Sequence, residues 1–86
     1  TMGIRNQRAE VLAGNLANGR YALFEIKLGG KRLIDEGANT LNALSRLIAD
    51  KNLPTPAFRM IVTAVGEFAY TRQEDGIIVC PLSALN

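Results

Sequence analysis

The sharpest pattern in the chain is an alternation over residues 21–28. A period of two places Tyr21, Leu23, Glu25 and Lys27 on one face of a strand, and Ala22, Phe24, Ile26 and Leu28 on the other. The second face is wholly apolar and must pack on something, and the helix that follows is the expected cover. Gly29-Gly30 ends the strand, because glycine weakens a ladder and permits a sharp change of direction. Over residues 35–51 the period lengthens: Leu41, Leu44, Leu47 and Ile48 recur at helical spacing and form one stripe. Asp35 is the expected N-cap, Asp35 and Glu36 suit the positive helix end, and Lys51 suits the negative one. Asn52, with Pro54 and Pro56 behind it, closes the helix.

Residues 58–65 are a near-continuous apolar run of strand length, which predicts a strand covered on both faces. Residues 68–72 and 77–82 flank Gln73-Glu74-Asp75-Gly76, a hairpin turn in which Gly76 supplies the unusual dihedral. Upstream, residues 4–17 carry good helix formers, yet Asn18-Gly19 directly before a strand signals a hairpin. Residues 9–16 therefore read as an irregular strand, with a short helix as the alternative. Strand, helix and strand in succession imply a right-handed crossover between two parallel strands. The expectation is an α/β fold: a small mixed sheet, one main crossover helix and a C-terminal β-hairpin.

Composition narrows this to one domain, residues 1–86. At 48% hydrophobic and 21% charged, 86 residues suffice for a core. A domain of this size buries only about 60–65% of its unfolded surface. Pairing as a homodimer, or with a missing part of a longer chain, would add stability. No leader and no apolar run near 18 residues is present, so the expected location is cytoplasmic, with no membrane contact. The single Cys80 lies in an apolar run and reads as a small buried hydrophobe. Histidine is absent, which removes zinc-finger ligands, Ser-His triads and histidine bases together.

Charge is uneven. Residues 1–32 hold six basic and two acidic side chains, a balance of +4, whereas residues 33–86 hold four basic and six acidic ones, a balance of −2. A phosphate backbone would be drawn to the first part, with Arg20, Lys31 and Arg32 as the nucleic-acid-binding candidates, although solvated surface is the commoner explanation. Gly29-Gly30-Lys31-Arg32 lacks the Gly-Lys-Ser/Thr ending of a P-loop, so no nucleoside-triphosphate site is expected.

Glu25 and Lys27 are the pair with a coherent mechanism. At i, i+2 on a strand both side chains point the same way, roughly 7 Å apart along the chain. A carboxylate there can hold a divalent cation such as Mg2+, and the ammonium can stabilise charge on a phosphate or position the attacking water. The commoner meaning of Glu-x-Lys is a solvated strand face. A metal site needs a second carboxylate, and the preceding strand has no Asp; Glu10 could serve only if register brings it opposite Glu25.

Several stretches together carry a family resemblance. They are Asn18-Gly19-Arg20-Tyr21, Phe24-Glu25-Ile26-Lys27-Leu28-Gly29-Gly30, Ile34-Asp35-Glu36-Gly37-Ala38 and Met60-Ile61-Val62-Thr63, with Ala69-Tyr70-Thr71-Arg72 and Glu74-Asp75-Gly76-Ile77-Ile78-Val79-Cys80-Pro81-Leu82 in the hairpin. Residues 18–86 resemble the C-terminal domain of unknown function of bacterial and archaeal AAA-type ATPases, while residues 1–17 are atypical. The resemblance implies a restriction-endonuclease-like fold, with Glu25 and Lys27 as the remnant of an Asp…Glu-x-Lys signature. It also implies an ATPase partner or a missing ATPase domain. The absent Asp then predicts a catalytically degenerate nuclease-like module that serves binding or assembly. The alternatives are an active Mg2+-dependent nuclease acting on DNA through Glu25, Lys27 and Glu10, and a dimerisation module that pairs through the edge of the C-terminal hairpin.

Overall fold

The computed structural model describes residues 11–64 and 66–85. Five strands form one mixed sheet: β1 (Val11–Asn15), β2 (Tyr21–Lys27), β3 (Phe58–Thr63), β4 (Tyr70–Thr71) and β5 (Ile78–Pro81), in the order β1-β2-β3-β5-β4. A single long helix, α1 (Lys31–Asp50), links β2 to β3, and a one-turn 3-10 helix, Leu82–Leu85, follows β5. β2, β3 and β5 run parallel, and β1 and β4 are antiparallel to their neighbours. The small mixed sheet with its crossover helix and C-terminal hairpin matches the sequence pattern.

The turns form where local chemistry demands them. Ala17-Asn18-Gly19 joins β1 to β2: Gly19 takes φ +85°, the Gly19 amide donates to the Leu16 carbonyl, and the Leu16 amide donates to the Arg20 carbonyl. Asn18 adds an Asx turn, its Oδ1 accepting from the Arg20 amide. Of the two readings for residues 9–16, the strand is the one adopted within the described residues. At the far end of α1, Asn52 sits at φ +56°; the Leu53 amide donates to the Ile48 carbonyl and the Asn52 amide to the Ala49 carbonyl, a Schellman closure.

Two expectations about helix and sheet need correction. The helix begins one turn earlier than residue 35, capped at Gly30 by backbone alone, so Asp35 is not the N-cap. Its carboxylate instead lies 3.0 Å from the Arg72 guanidinium. More consequentially, α1 does not cover the apolar Ala22, Phe24, Ile26 and Leu28 face. It lies on the face of Leu23, Glu25 and Lys27, where Ala38 and Leu41 join Leu23, Ile61 and Ile77 in the buried core. A single strand cannot reveal this, because the helix follows the summed apolar area of three strands. On the helix side β3 contributes Ile61 and β5 is flanked by Ile77, both fully buried.

The reverse face of the sheet stays partly open. Ile26 is 46% and Leu28 63% exposed, Leu12 on β1 is 52% exposed, and Phe58 and Met60 on β3 are half-buried. The expectation that this run is covered on both sides holds at Ile61 on the helix face and at Val62 on the reverse face, whereas Phe58 and Met60 are only half-buried. Cys80 is a free, buried cysteine, in line with its apolar neighbourhood. No described helix is long and apolar enough to cross a membrane.

Candidate functional site: a buried acid and amine beneath a helix glycine

Strand β2 projects Glu25 and Lys27 to the same side, as period two requires, but that side is covered. Glu25 is fully buried and Lys27 is 9% exposed, with the Lys27 ammonium 3.5 Å from a Glu25 carboxylate oxygen. α1 passes directly over them at Gly37. A Cβ added at Gly37 would stand 3.2 Å from Lys27 Cγ, 3.3 Å from Glu25 Cγ and 3.5 Å from Ile61 Cδ1. Here the backbone of the helix is the lid of the pair, and a residue without a side chain lets it come that close. In the next strand Thr63, also buried, stands in register with Lys27.

Register settles which residue of β1 faces the acid. Val11 is paired with Glu25, followed by Leu12 with Phe24 and Ala13 with Leu23. Glu10, the candidate second carboxylate, lies outside the described residues, and the position opposite Glu25 is filled by Val11. Among the described residues no group of three or more His, Cys, Asp or Glu side chains is placed to hold a metal ion. A Mg2+ ion requires several oxygen ligands at about 2.0–2.1 Å. One carboxylate, shut off from water and sharing its space with an ammonium, does not provide that set, so the described residues do not fit the ion.

The nucleic-acid candidates are split by the fold. Lys31 and Arg32 are exposed neighbours in the first turn of α1, past the end of β2. Arg20 is exposed at the opposite end of the same strand, in the turn after β1. Seven strand residues separate them, about 20 Å at about 3.3 Å per residue. Lys31 and Arg32 can contact one phosphate stretch together; Arg20 belongs to a different end of the sheet.

A second polar cluster, which motif reasoning did not single out, ties the C-terminal hairpin to the helix. Arg72 reaches Asp35 and Asp75, each at 3.0 Å, and Glu74 at 3.7 Å. Asp75 accepts from Asn42 on α1, and Arg59 on β3 donates to the Asn42 side chain, the Ser45 hydroxyl and the Asp75 carbonyl. Asp75 also accepts from the Ile77 amide. Arg72 and Asp75 are 13% and 12% exposed, and Arg72 helps to line a cleft of about 300 Å3 with Lys31, Asp35 and Tyr70. Only Asp75-Gly76 hinted at this cluster in the sequence, and as a turn; the partners lie 33 and 16 residues away, beyond any local pattern.

The cluster sets up a pH dependence. Burial pushes the Asp75 carboxyl up, but bonds from Asn42, Arg72 and the Ile77 amide outweigh it and hold Asp75 below the usual carboxylate range. Arg72 is raised, first by its bond to Asp75, against the opposing effect of burial. A folded-state value below the unfolded one means that Asp75 stabilises the fold above about pH 4, and that this contribution is lost as pH falls through the folded value. Asp75→Asn should therefore lose about 2 kcal/mol at pH 7, and its penalty should shrink by about pH 2–3. Urea denaturation at both pH values checks this; an equal penalty at both would show that charge at Asp75 contributes nothing.

No protein-family model, no curated protein and no solved structure matches the chain. The described residues form a two-layer mixed α/β unit with one long helix over a five-stranded sheet, and an acid–amine pair buried between the layers.

Proposed function

We propose that this chain is a catalytically degenerate, nuclease-like accessory module, cytoplasmic, that acts by binding or assembly with an AAA-type ATPase. The observation that carries the non-catalytic part is the burial of Glu25: the carboxylate that would have to meet a cation and a phosphate has no exposure, lies under Gly37, and has Val11 across from it where a second acid is needed. A nuclease acid must be reachable by metal, water and a phosphodiester at once. In this chain the geometry supports a different use, in which Glu25 and Lys27 neutralise each other within β2 while their stems pack beneath Gly37 of α1. The ATPase association rests on the resemblance of residues 18–86 and needs no catalytic group in this domain.

The test is incubation of the chain with plasmid, linear and single-stranded DNA in millimolar Mg2+ and in millimolar Mn2+. The expected result is no cleavage above a metal-free control, together with no Mn2+-induced broadening of the residue 25–27 amide resonances. Metal-dependent cleavage that disappears in Glu25→Gln, with an unchanged circular dichroism spectrum, would overturn the reading in favour of an active nuclease.

A further inference from the structure

On the sheet face turned away from α1, Ala22, Val62 and Cys80 are buried, and an open apolar patch lies beside them. Leu12, Ile26 and Leu28 are about half exposed or more, and Phe24, Phe58 and Met60 are partly exposed around them, with the Phe24 and Phe58 rings edge to face at 5.8 Å. These side chains run across β1, β2 and β3 without a charged residue between them, since register puts Leu12 beside Phe24 and Phe24 beside Met60. We propose that two copies of this chain pack back to back through this face, forming a four-layer helix–sheet–sheet–helix dimer. The inference rests on the assembly part of the function proposed above and is independent of whether Glu25 is catalytic.

Three considerations single out a second copy. First, a two-fold interface sets a patch against itself, so a charged face would repel its own image while this one does not. Second, flat apolar sheet faces have an established way to meet: two sheets pack about 10 Å apart with strands within about 30° of each other. Third, the area suffices. Burying a whole Leu or Ile side chain removes on the order of 100 Å2 of apolar surface from water, so the exposed fractions on this face amount to roughly 300 Å2 per copy. Two copies then cover about 600 Å2 of apolar surface and, with a polar rim of ordinary composition, about 1,000 Å2 in all, the lower bound for a specific interface. That size fits a reversible dimer.

The edge at the C-terminal hairpin is the weaker route. The C-terminal hairpin places β5 inside the sheet, beside β3, and leaves only the two-residue β4 outside. Two residues supply too few free backbone groups for stable strand addition.

Sedimentation equilibrium of the 86-residue chain between about 1 and 500 μM decides the matter. A reversible monomer–dimer equilibrium is expected, with a dissociation constant weakened at least tenfold in Ile26→Asp and in Leu12→Asp. Both positions are exposed in the single chain, and circular dichroism should confirm that each variant keeps its fold; Leu28→Asp serves if one does not. Phe68→Asp, next to β4 and away from the patch, should leave the equilibrium unchanged. A monomer at the highest concentration, open-ended aggregation, or a dimer weakened by Phe68→Asp and not by Ile26→Asp would each overturn the proposal. A chain that cleaves DNA and still dimerises through Ile26 would remove the non-catalytic reading and leave this one standing.

Discussion

Lys27→Met is expected to cost about 3–5 kcal/mol of folding stability, because it leaves the Glu25 carboxylate in the core without the ammonium that stands 3.5 Å away. The ammonium alone is deleted; Met keeps most of the aliphatic stem that packs beneath Gly37. For a domain of 86 residues, whose total stability is about 5–15 kcal/mol, a loss of this size can unfold the chain at room temperature. The decisive comparison is the double variant Glu25→Leu with Lys27→Met. Replacing a buried pair by apolar residues of similar volume is often neutral or stabilising, so the double variant should recover most of the loss. Urea denaturation of both proteins, and of Glu25→Leu alone, closes the cycle. If Lys27→Met is within about 1 kcal/mol of the parent, the ion pair contributes little to the fold, and its structural role is refuted.

The second large effect belongs to Gly37. Any Cβ at this position falls 3.2–3.3 Å from the stems of Lys27 and Glu25, closer than atoms in a packed core ordinarily stand. Gly37→Ala adds one methyl group against that resistance but also removes the entropic penalty of glycine in a helix, about 0.5–1 kcal/mol. The two effects oppose, and the net change should be small. Gly37→Leu has no such balance: its branched side chain must enter the space between α1 and β2, lifting the helix from Ile61, for a loss of about 3 kcal/mol. Thermal or urea midpoints across Gly, Ala and Leu should fall abruptly between Ala and Leu. A gradual decline would mean that the helix can slide on the sheet.

The residues behind both effects are flagged one way by the chain's pattern and used another way by the fold. Glu25 and Lys27 were legible as neighbours on one face of β2, because a strand's alternation is a property of the backbone alone. Their burial was not legible. An acid and an amine at alternate positions look like a wetted surface, and the apolar Ala22, Phe24, Ile26 and Leu28 look like a core. The helix took the other side because Leu23, Ile61 and Ile77 come together there only after β3 and β5 have lined up in parallel beside β2. Gly37 likewise reads as a weak spot in a helix until the strand beneath it is known.

The hydrogen-bonded cluster around Arg72 shows the same separation at longer range. Asp75-Gly76 announced a turn and the turn formed, with Gly76 at φ +74° and its amide donating to the Arg72 carbonyl. That Asp75 would also accept from Asn42, and that Arg59 would donate to the Asp75 carbonyl and the Asn42 side chain, depends on how the hairpin docks on the helix.

By itself, then, the sequence determined the local grammar of this protein. It set two strands joined at Asn18-Gly19, a helix closed at Asn52, a hairpin turned at Gly76, and an acid and an amine side by side on β2. These follow from dihedral preferences and side-chain periodicity, which act over a few residues. Tertiary structure alone decided which face of the sheet the helix covers, that Glu25 is sealed and Val11 stands opposite it, and that Leu12, Ile26 and Leu28 stay exposed. Those outcomes depend on apolar area summed over strands far apart in the chain, and no window of neighbouring residues contains that sum.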